Sequence, residues 1–187
     1  GAPAAGLPHS RVYDFLETED GALWFGTYAG LSRWRDGAWS HWGRDEGVRE
    51  PVFALAPGDS GGVWLGHRGG GMARIRADDR LDYADGPDGD PPVWDLERDA
   101  RGWLWVATHD GLHLFNGRAW SHLGLRQGLP AERLWPLAVT RDQVYAGTSG
   151  AGLAVLDLPA LEVPPPIISF TSPAFEGRNV LLRWRPW

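Results

Sequence analysis

Three features of the 187-residue sequence predict an all-β chain that repeats one four-stranded unit four times. The composition is the first: 26 Gly and 15 Pro leave little room for long helices, while 43% apolar residues rule out a disordered chain. The second is a period near 40, with segments opening at Val12, Val52, Val93 and Leu134, separated by 40, 41 and 41 residues. The third is a set of aromatic anchors, Trp24, Trp64, Trp105 and Tyr145, each followed two places later by a small residue: Gly26, Gly66, Ala107 or Gly147. A unit of about 40 residues that holds four strands and stacks face to face is a β-propeller blade.

The first repeat shows why each strand is expected. Val12 to Leu16 is apolar-rich and ends at Glu19-Asp20-Gly21, a turn in which Gly takes positive φ at little cost. Leu23-Trp24-Phe25-Gly26-Thr27 is the second strand. A turn closed by Gly30 (Gly71, Gly111 and Gly152 in the other repeats) leads to the third strand, Leu31 to Trp34. Asp36-Gly37 is a hairpin signal, and Ala38 to Trp42 forms the fourth strand. Tight turns make these strands antiparallel neighbours, a meander. Leu23-Trp24-Phe25 is apolar on both faces, so both faces need cover, and stacked sheets supply it. The Gly26-type positions are then expected where neighbouring blades approach closely. A β-sandwich of duplicated hairpins is the alternative, but it does not require such regular spacing.

These repeats occupy residues 1–162, as blades at about 12–50, 51–92, 93–133 and 134–158, the last lacking a clear fourth strand. Residues 163–187 read as a stiff spacer, Val163-Pro164-Pro165-Pro166, followed by the first strands of a β-sandwich, Ile167 to Phe170 and Asn179 to Trp184. Gly6 to Val12 matches Gly128 to Leu134, so the chain is expected to open in a connection between blades, with further blades in a parent protein.

Composition also narrows function. The absence of Cys excludes disulfides, thiolate metal sites and a Cys nucleophile. There is no apolar run long enough for a membrane helix. A net charge of −6 argues against a phosphate-binding surface, so no nucleic acid is expected, and no membrane contact by this segment itself.

GLPHSRVYDFLETEDGALWFGTYAGLSRW and GLPAERLWPLA, at this period, resemble the two-component regulator propeller repeat. That pattern runs Gly-Leu-Pro, an apolar strand, an Asp-Gly turn, Leu-Trp-small-Gly-Thr and a Gly-Leu turn. The tail from Pro164 resembles the β-sandwich that follows such propellers. His67 stands where the family has Thr, Ala107 where it has Gly and Tyr145 where it has Trp. The resemblance implies a non-catalytic, periplasmic or extracytoplasmic ligand-sensing segment of a bacterial membrane-bound histidine kinase. Its partners would be a small-molecule or oligosaccharide ligand and the kinase domains of a parent phosphorelay protein, with a homodimer also open.

Other candidate chemistry is weaker. Gly58-Asp59-Ser60-Gly61-Gly62 spells a serine-protease nucleophile motif, but it falls in a first turn and lacks the partner His motif. The acids Asp78, Asp79, Asp82, Asp85, Asp88 and Asp90 do not keep EF-hand spacing, and Leu96 stands where the closing Glu belongs. His109 and His113 sit four apart in a turn and a strand, where helical ligand geometry does not apply. His41 and His122 occupy equivalent fourth-strand positions and read as structural. No catalytic residue, metal or cofactor is therefore assigned. The second-to-third turns share a rim with the connections between blades, which makes Tyr28, His67, Arg68, His109 and Asp110 the candidate ligand-binding residues. The competing functions are a propeller enzyme (lyase or glycosidase-like), which would gather carboxylates on one rim, and a protein-binding scaffold, which would expose a broad apolar patch.

Overall fold

In the computed structural model, residues 6–49, 51–84 and 86–158 are described, together with the backbone of 170–176 and 179–184. Fifteen strands form four meanders. They are β1 (Val12–Glu17), β2 (Leu23–Thr27), β3 (Gly30–Arg35) and β4 (Ala38–Trp42); β5 (Val52–Pro57), β6 (Val63–His67), β7 (Met72–Ile75) and β8 (Leu81–Ala84); β9 (Val93–Arg98), β10 (Leu104–Thr108), β11 (Leu112–Phe115) and β12 (Trp120–Leu123); and β13 (Leu134–Val139), β14 (Gln143–Thr148) and β15 (Leu153–Asp157). Strand order within each meander follows chain order, giving the propeller blades expected from the period. The C-terminal strands β16 (Phe170–Glu176) and β17 (Asn179–Trp184) join the fourth sheet, where β17 runs parallel to β15 along its edge. The fourth sheet is thus completed from outside the meander. The Val163 to Pro166 spacer lies outside the described residues.

The turns follow from local chemistry. Asp36 and Gly37 both take positive φ (51° and 80°), the two-residue I′ geometry that matches strand twist. At Gly30 and Gly111, φ is +107° and +133°, and a Cβ would lie 2.3 Å from the Trp42 or Leu123 carbonyl oxygen. Only Gly closes that turn against the fourth strand. The first turn of the fourth repeat is one residue shorter than the others. Its Thr140 N–H reaches Gln143 O, whereas Thr18 and Asp99 reach Ala22 and Trp103, which accounts for the 40-residue step to Tyr145.

The chain forms two compact units, residues 1–96 and 97–187. In the first, Trp24, Leu31, Val52, Leu55, Leu65 and Ile75 form a core between the first two sheets. In the second, Trp105, Leu112, Leu123, Leu134 and Val144 do the same for the last two. Each large buried side chain of this kind contributes about 1.5–3 kcal/mol of transfer free energy. The anchors Trp24, Trp64 and Trp105 are 2%, 8% and 1% exposed. Their indoles also meet polar partners: Trp24 Nε1 donates to Thr18 Oγ1 (3.2 Å) and Trp105 Nε1 to Asp99 Oδ2 (3.3 Å). The acceptor lies six residues before the Trp in both repeats, so the first turn and the wedge are one device.

Close approach between blades is met at two of the small positions. A Cβ on Gly26 would lie 3.0 Å from Val52 O, and one on Gly66 would lie 2.4 Å from Val93 Cγ1. At Gly147 the nearest atom is Pro136 Cγ of the same sheet. Tyr145 departs from the expected role. It is half-buried, its hydroxyl donates to Gln143 Oε1, and its neighbours Val144 and Ala146 hold the covered face. Strand parity puts Tyr145 on the opposite face, which no further meander covers among the described residues.

An inter-blade staple joins the first two sheets. Arg33, on β3, stacks over Trp24 and Trp42 (5.1 Å to each ring) and ion-pairs with Asp79 of the second repeat through two contacts, 2.5 and 3.0 Å.

Candidate functional site

The first strands carry a feature that apolar pattern reading passes over. In β1, Val12 faces Thr27 and Asp14 faces Gly26, so Tyr13 is an extra residue without a ladder partner. β5 repeats this with Phe53 between Val52 and Ala54, and β13 accommodates Trp135 and Pro136 opposite Gly147 alone. Such bulges re-aim a side chain. The residue after each repeat's opening position is aromatic every time: Tyr13, Phe53, Trp94, Trp135. In the first unit three of these rings form a row. Tyr13 and Phe53 lie 4.0 Å apart between centroids, and Phe53 meets Trp94 edge-on at 5.4 Å. Tyr13 is 37% exposed, and Trp135 of the second unit is 48% exposed.

The rim of the same sheet ends adds polar groups. The Tyr28 N–H donates to Arg11 O (3.1 Å) and the Arg68 N–H to Pro51 O (3.3 Å), tying each second-to-third turn to the start of a first strand. This places Tyr28 and Arg68 beside the aromatic row. The Arg68 guanidinium sits 5.4 Å above Phe53, Arg11 lies 5.6 Å over Tyr28, and His9 packs against Tyr28 at 4.9 Å. Beneath the row, the Asp14 carboxylate accepts from Leu55 N–H (2.7 Å) and Phe15 N–H (2.8 Å), pinning β1 to β5. Burial raises its pKa above the usual carboxylate value, against the pull of those two backbone donors. Flat rings with adjacent guanidinium groups offer stacking and hydrogen-bond donation on one surface.

His67, expected on this rim, is fully buried at the end of β6. Its ring packs near Tyr83 (6.3 Å), whose hydroxyl donates to Gly47 O, and Arg49 lies over the Tyr83 ring. Neither ring nitrogen has a hydrogen-bond partner of ordinary geometry. Burial lowers the His67 pKa to about 4, a shift the Arg49 backbone opposes only in part, so the imidazole is neutral at physiological pH. Thr fills this position in the other repeats. The substitution reads as an exposed loop residue in sequence, but the side chain falls on the covered face.

His109 and Asp110 belong to the second unit. Both are exposed, and Asp110 has buried company. The His113 ring donates from Nε2 to Asp110 Oδ1 (3.1 Å), His122 Nε2 donates to the Asp110 carbonyl (2.7 Å), and Thr108 Oγ1 also donates to the carboxylate. Partial burial works against ionisation of Asp110, yet the Thr108 and His113 hydrogen bonds outweigh it and hold the pKa below the usual range. His113 and His122 face each other in register across β11 and β12, with ring centroids 4.6 Å apart.

Ser60 sits in a short 3-10 turn with φ 55°. It lines a shallow open depression with Asp59, Arg74, Arg76 and Asp78, and no His is among these lining residues. The acidic stretch is engaged with arginines: Asp79 with Arg33, Asp82 with Arg74 (3.6 Å) and Arg76, and Asp90 with Arg49 (3.7 Å). Asp85 lies outside the described residues. No helix among the described residues is long and apolar enough to cross a membrane.

Residues 6–29 match the family described as "Two component regulator propeller". No curated protein matches the chain. Among solved structures, the extracellular domain of BT3049 from B. thetaiotaomicron, described as a hybrid two-component system, is similar at 22% identity and a TM-score of 0.67. The alignment covers 81% of this chain and 21% of that one. The extracellular domain of BT4673 from the same organism, described as a one-component system, is 18% identical with a TM-score of 0.68, covering 88% and 24% of the two chains. This chain therefore spans about a fifth to a quarter of either structure. A virginiamycin B lyase from Staphylococcus aureus is more remote in sequence, at 15% identity, a TM-score of 0.60 and coverage of 89% and 62%. At these identities the likeness is one of fold, and the fold is the propeller.

Proposed function

We propose that this chain is a ligand-sensing propeller segment of a bacterial two-component receptor, working outside the cytoplasm and performing no catalysis of its own. The match of the first repeat to the regulator propeller family supports this reading, as do the extracellular domains of two-component and one-component systems among its structural relatives. The kinase and any further blades would lie in the parent protein, with residues 163–187 leading toward a following domain.

The row Tyr13, Phe53 and Trp94, flanked by Arg68, carries the proposal. Adjacent rings at the sheet ends, tilted and edge-on to one another, suit the flat apolar faces of sugar rings, and the guanidinium groups suit their hydroxyls or acidic substituents. An oligosaccharide is the ligand class that uses both. Among the described residues the carboxylates near this surface are engaged elsewhere: Asp14 accepts from two backbone donors, and Asp79, Asp82 and Asp90 pair with arginines.

A thermal-shift screen of neutral and acidic oligosaccharides, followed by calorimetry, tests the proposal. A hit is expected to weaken about tenfold or more in Trp94→Ala and in Arg68→Ala, each ring or charged contact being worth about 1–2 kcal/mol. If no oligosaccharide in either class binds, or if binding is indifferent to both substitutions, the reading fails. Turnover of a bound sugar would favour the lyase-like or glycosidase-like alternative.

A further inference from the structure

The third repeat differs from the first at two places that meet a shared third position, a histidine in both, at one end of the sheet. Where the first repeat has Ala29 and Ser32, the third has Asp110 and His113, and His122 takes the place of His41. The second repeat has Gly70, Ala73 and Tyr83 there. The blade therefore forms without a carboxylate at the Asp110 position or an imidazole at the His113 position, and packing does not call for either. In the first repeat Ser32 and His41 simply hydrogen-bond to each other at 3.0 Å.

We infer that Asp110, His113 and His122 form a binding site for a divalent transition-metal ion of the zinc type. One ligand atom from each lies within 4.8 Å of the other two. The His113 Nε2 to Asp110 Oδ1 separation is 3.1 Å, close to the ~3.3 Å edge that tetrahedral Zn–N and Zn–O bonds of about 2.0–2.1 Å imply. His122 Nε2 now donates to the Asp110 carbonyl and would exchange that hydrogen bond for the metal. Both rings bind through Nε2 in the tautomer that carries its proton on Nδ1. Thr108 Oγ1 already donates to the Asp110 carboxylate and serves as the outer support that orients a ligating carboxylate. Two imidazoles and one carboxylate suit zinc over calcium or magnesium, which take oxygen donors. Asp110 and His122 are exposed, so the fourth corner opens to water or to a donor atom of an incoming ligand. This site lies wholly in the second unit and does not depend on the sugar-binding proposal.

Calorimetric titration of the EDTA-dialysed full chain with zinc chloride tests the assignment. One saturable site is expected, and cobalt(II) should give the visible bands of a four-coordinate centre. Asp110→Ala with His113→Ser installs the residues of the first repeat, so the variant should keep its fold by circular dichroism. It should lose affinity by on the order of 100-fold or more, beyond what removal of a mere supporting group costs. Ring-nitrogen resonances read the site without mutation: zinc should move those of His113 and His122 but leave His9, His41 and His109 in place. The assignment is overturned by the absence of a saturable site at 100-micromolar-scale zinc (about ten times a weak structural Kd), by equal affinity in the double variant, or by shifts confined to the other histidines.

Discussion

Replacing Gly66 with Ala gives the sharpest test of how the blades are held together. The new Cβ would stand 2.4 Å from Val93 Cγ1 and 3.0 Å from Val93 Cβ. Carbon atoms in contact prefer about 3.5–4.0 Å, so something must move by roughly 1 Å. Val93 is fully buried and branched at Cβ, which leaves it little room to turn aside. Overpacking of this kind costs about 1–3 kcal/mol. The lower chain entropy of unfolded Ala returns about 0.4–1 kcal/mol, so a net loss of about 1–2 kcal/mol is expected. Gly69→Ala is the control, since nothing lies within 4 Å of its Cβ position. It should stay within about 0.5 kcal/mol of the parent. Urea unfolding followed by Trp fluorescence measures all three, with an unchanged slope confirming comparable transitions. Adding Val93→Ala removes the obstructing methyl, and a cycle over the pair should give a favourable coupling of about 1–2 kcal/mol. A neutral Gly66→Ala, or a cycle that closes to within about 0.5 kcal/mol of additivity, refutes the claim that this glycine exists to admit the neighbouring strand.

Arg33→Ala should cost about 1–2 kcal/mol in the same assay, since it removes both ring stacking and the ion pair, while Asp79→Ala should cost under about 1 kcal/mol and less in high salt, its carboxylate being half exposed. His67→Thr should be tolerated, because the Thr27 and Thr148 hydroxyls each donate to the turn-closing Gly carbonyl at 3.0 and 2.8 Å, and Gly71 O occupies the equivalent place. The same variant should flatten the pH dependence of stability. Folded His67 resists protonation down to about pH 4 whereas the unfolded chain takes the proton below about 6.5, so the parent loses up to on the order of 3 kcal/mol between those values. Asp14, whose pKa is raised, acts in the opposite sense at the acid end, so the comparison is made between pH 7 and pH 5. Asp14→Ala leaves the buried Leu55 N–H without its acceptor and should cost about 1–3 kcal/mol, seen as a lower urea midpoint.

The fold was legible because its signals are local and repeated. Asp36-Gly37, the turn-closing glycines and the buried Trp anchors each act within a few residues, and four copies average out the noise. The Gly26 and Gly66 contacts followed from the same repeat. Legibility stopped where a side chain's direction depends on strand parity or on what covers a face. His67 looked like a turn residue yet points inward, and Tyr145 has its anchor position but, among the described residues, no further meander against it. The aromatic row escaped notice because a bulge breaks the two-residue alternation, although Tyr13, Phe53, Trp94 and Trp135 stand in one column of the repeat alignment. The pairing of His113 with His122 was likewise beyond chain spacing alone, because it arises across a strand pair. The C-terminal strands were expected to stand apart, but nothing in their composition told which edge of which sheet they would adjoin.

The unpartnered residue in the opening strand has an evolutionary side. Since it contributes nothing to the ladder, its replacement leaves the register of its neighbours untouched. Tandem duplication of such a unit copies a conservative interior along with one aromatic position that varies among Tyr, Phe and Trp. Successive copies can then diversify what they touch, one tooth at a time, without renegotiating how the body is built.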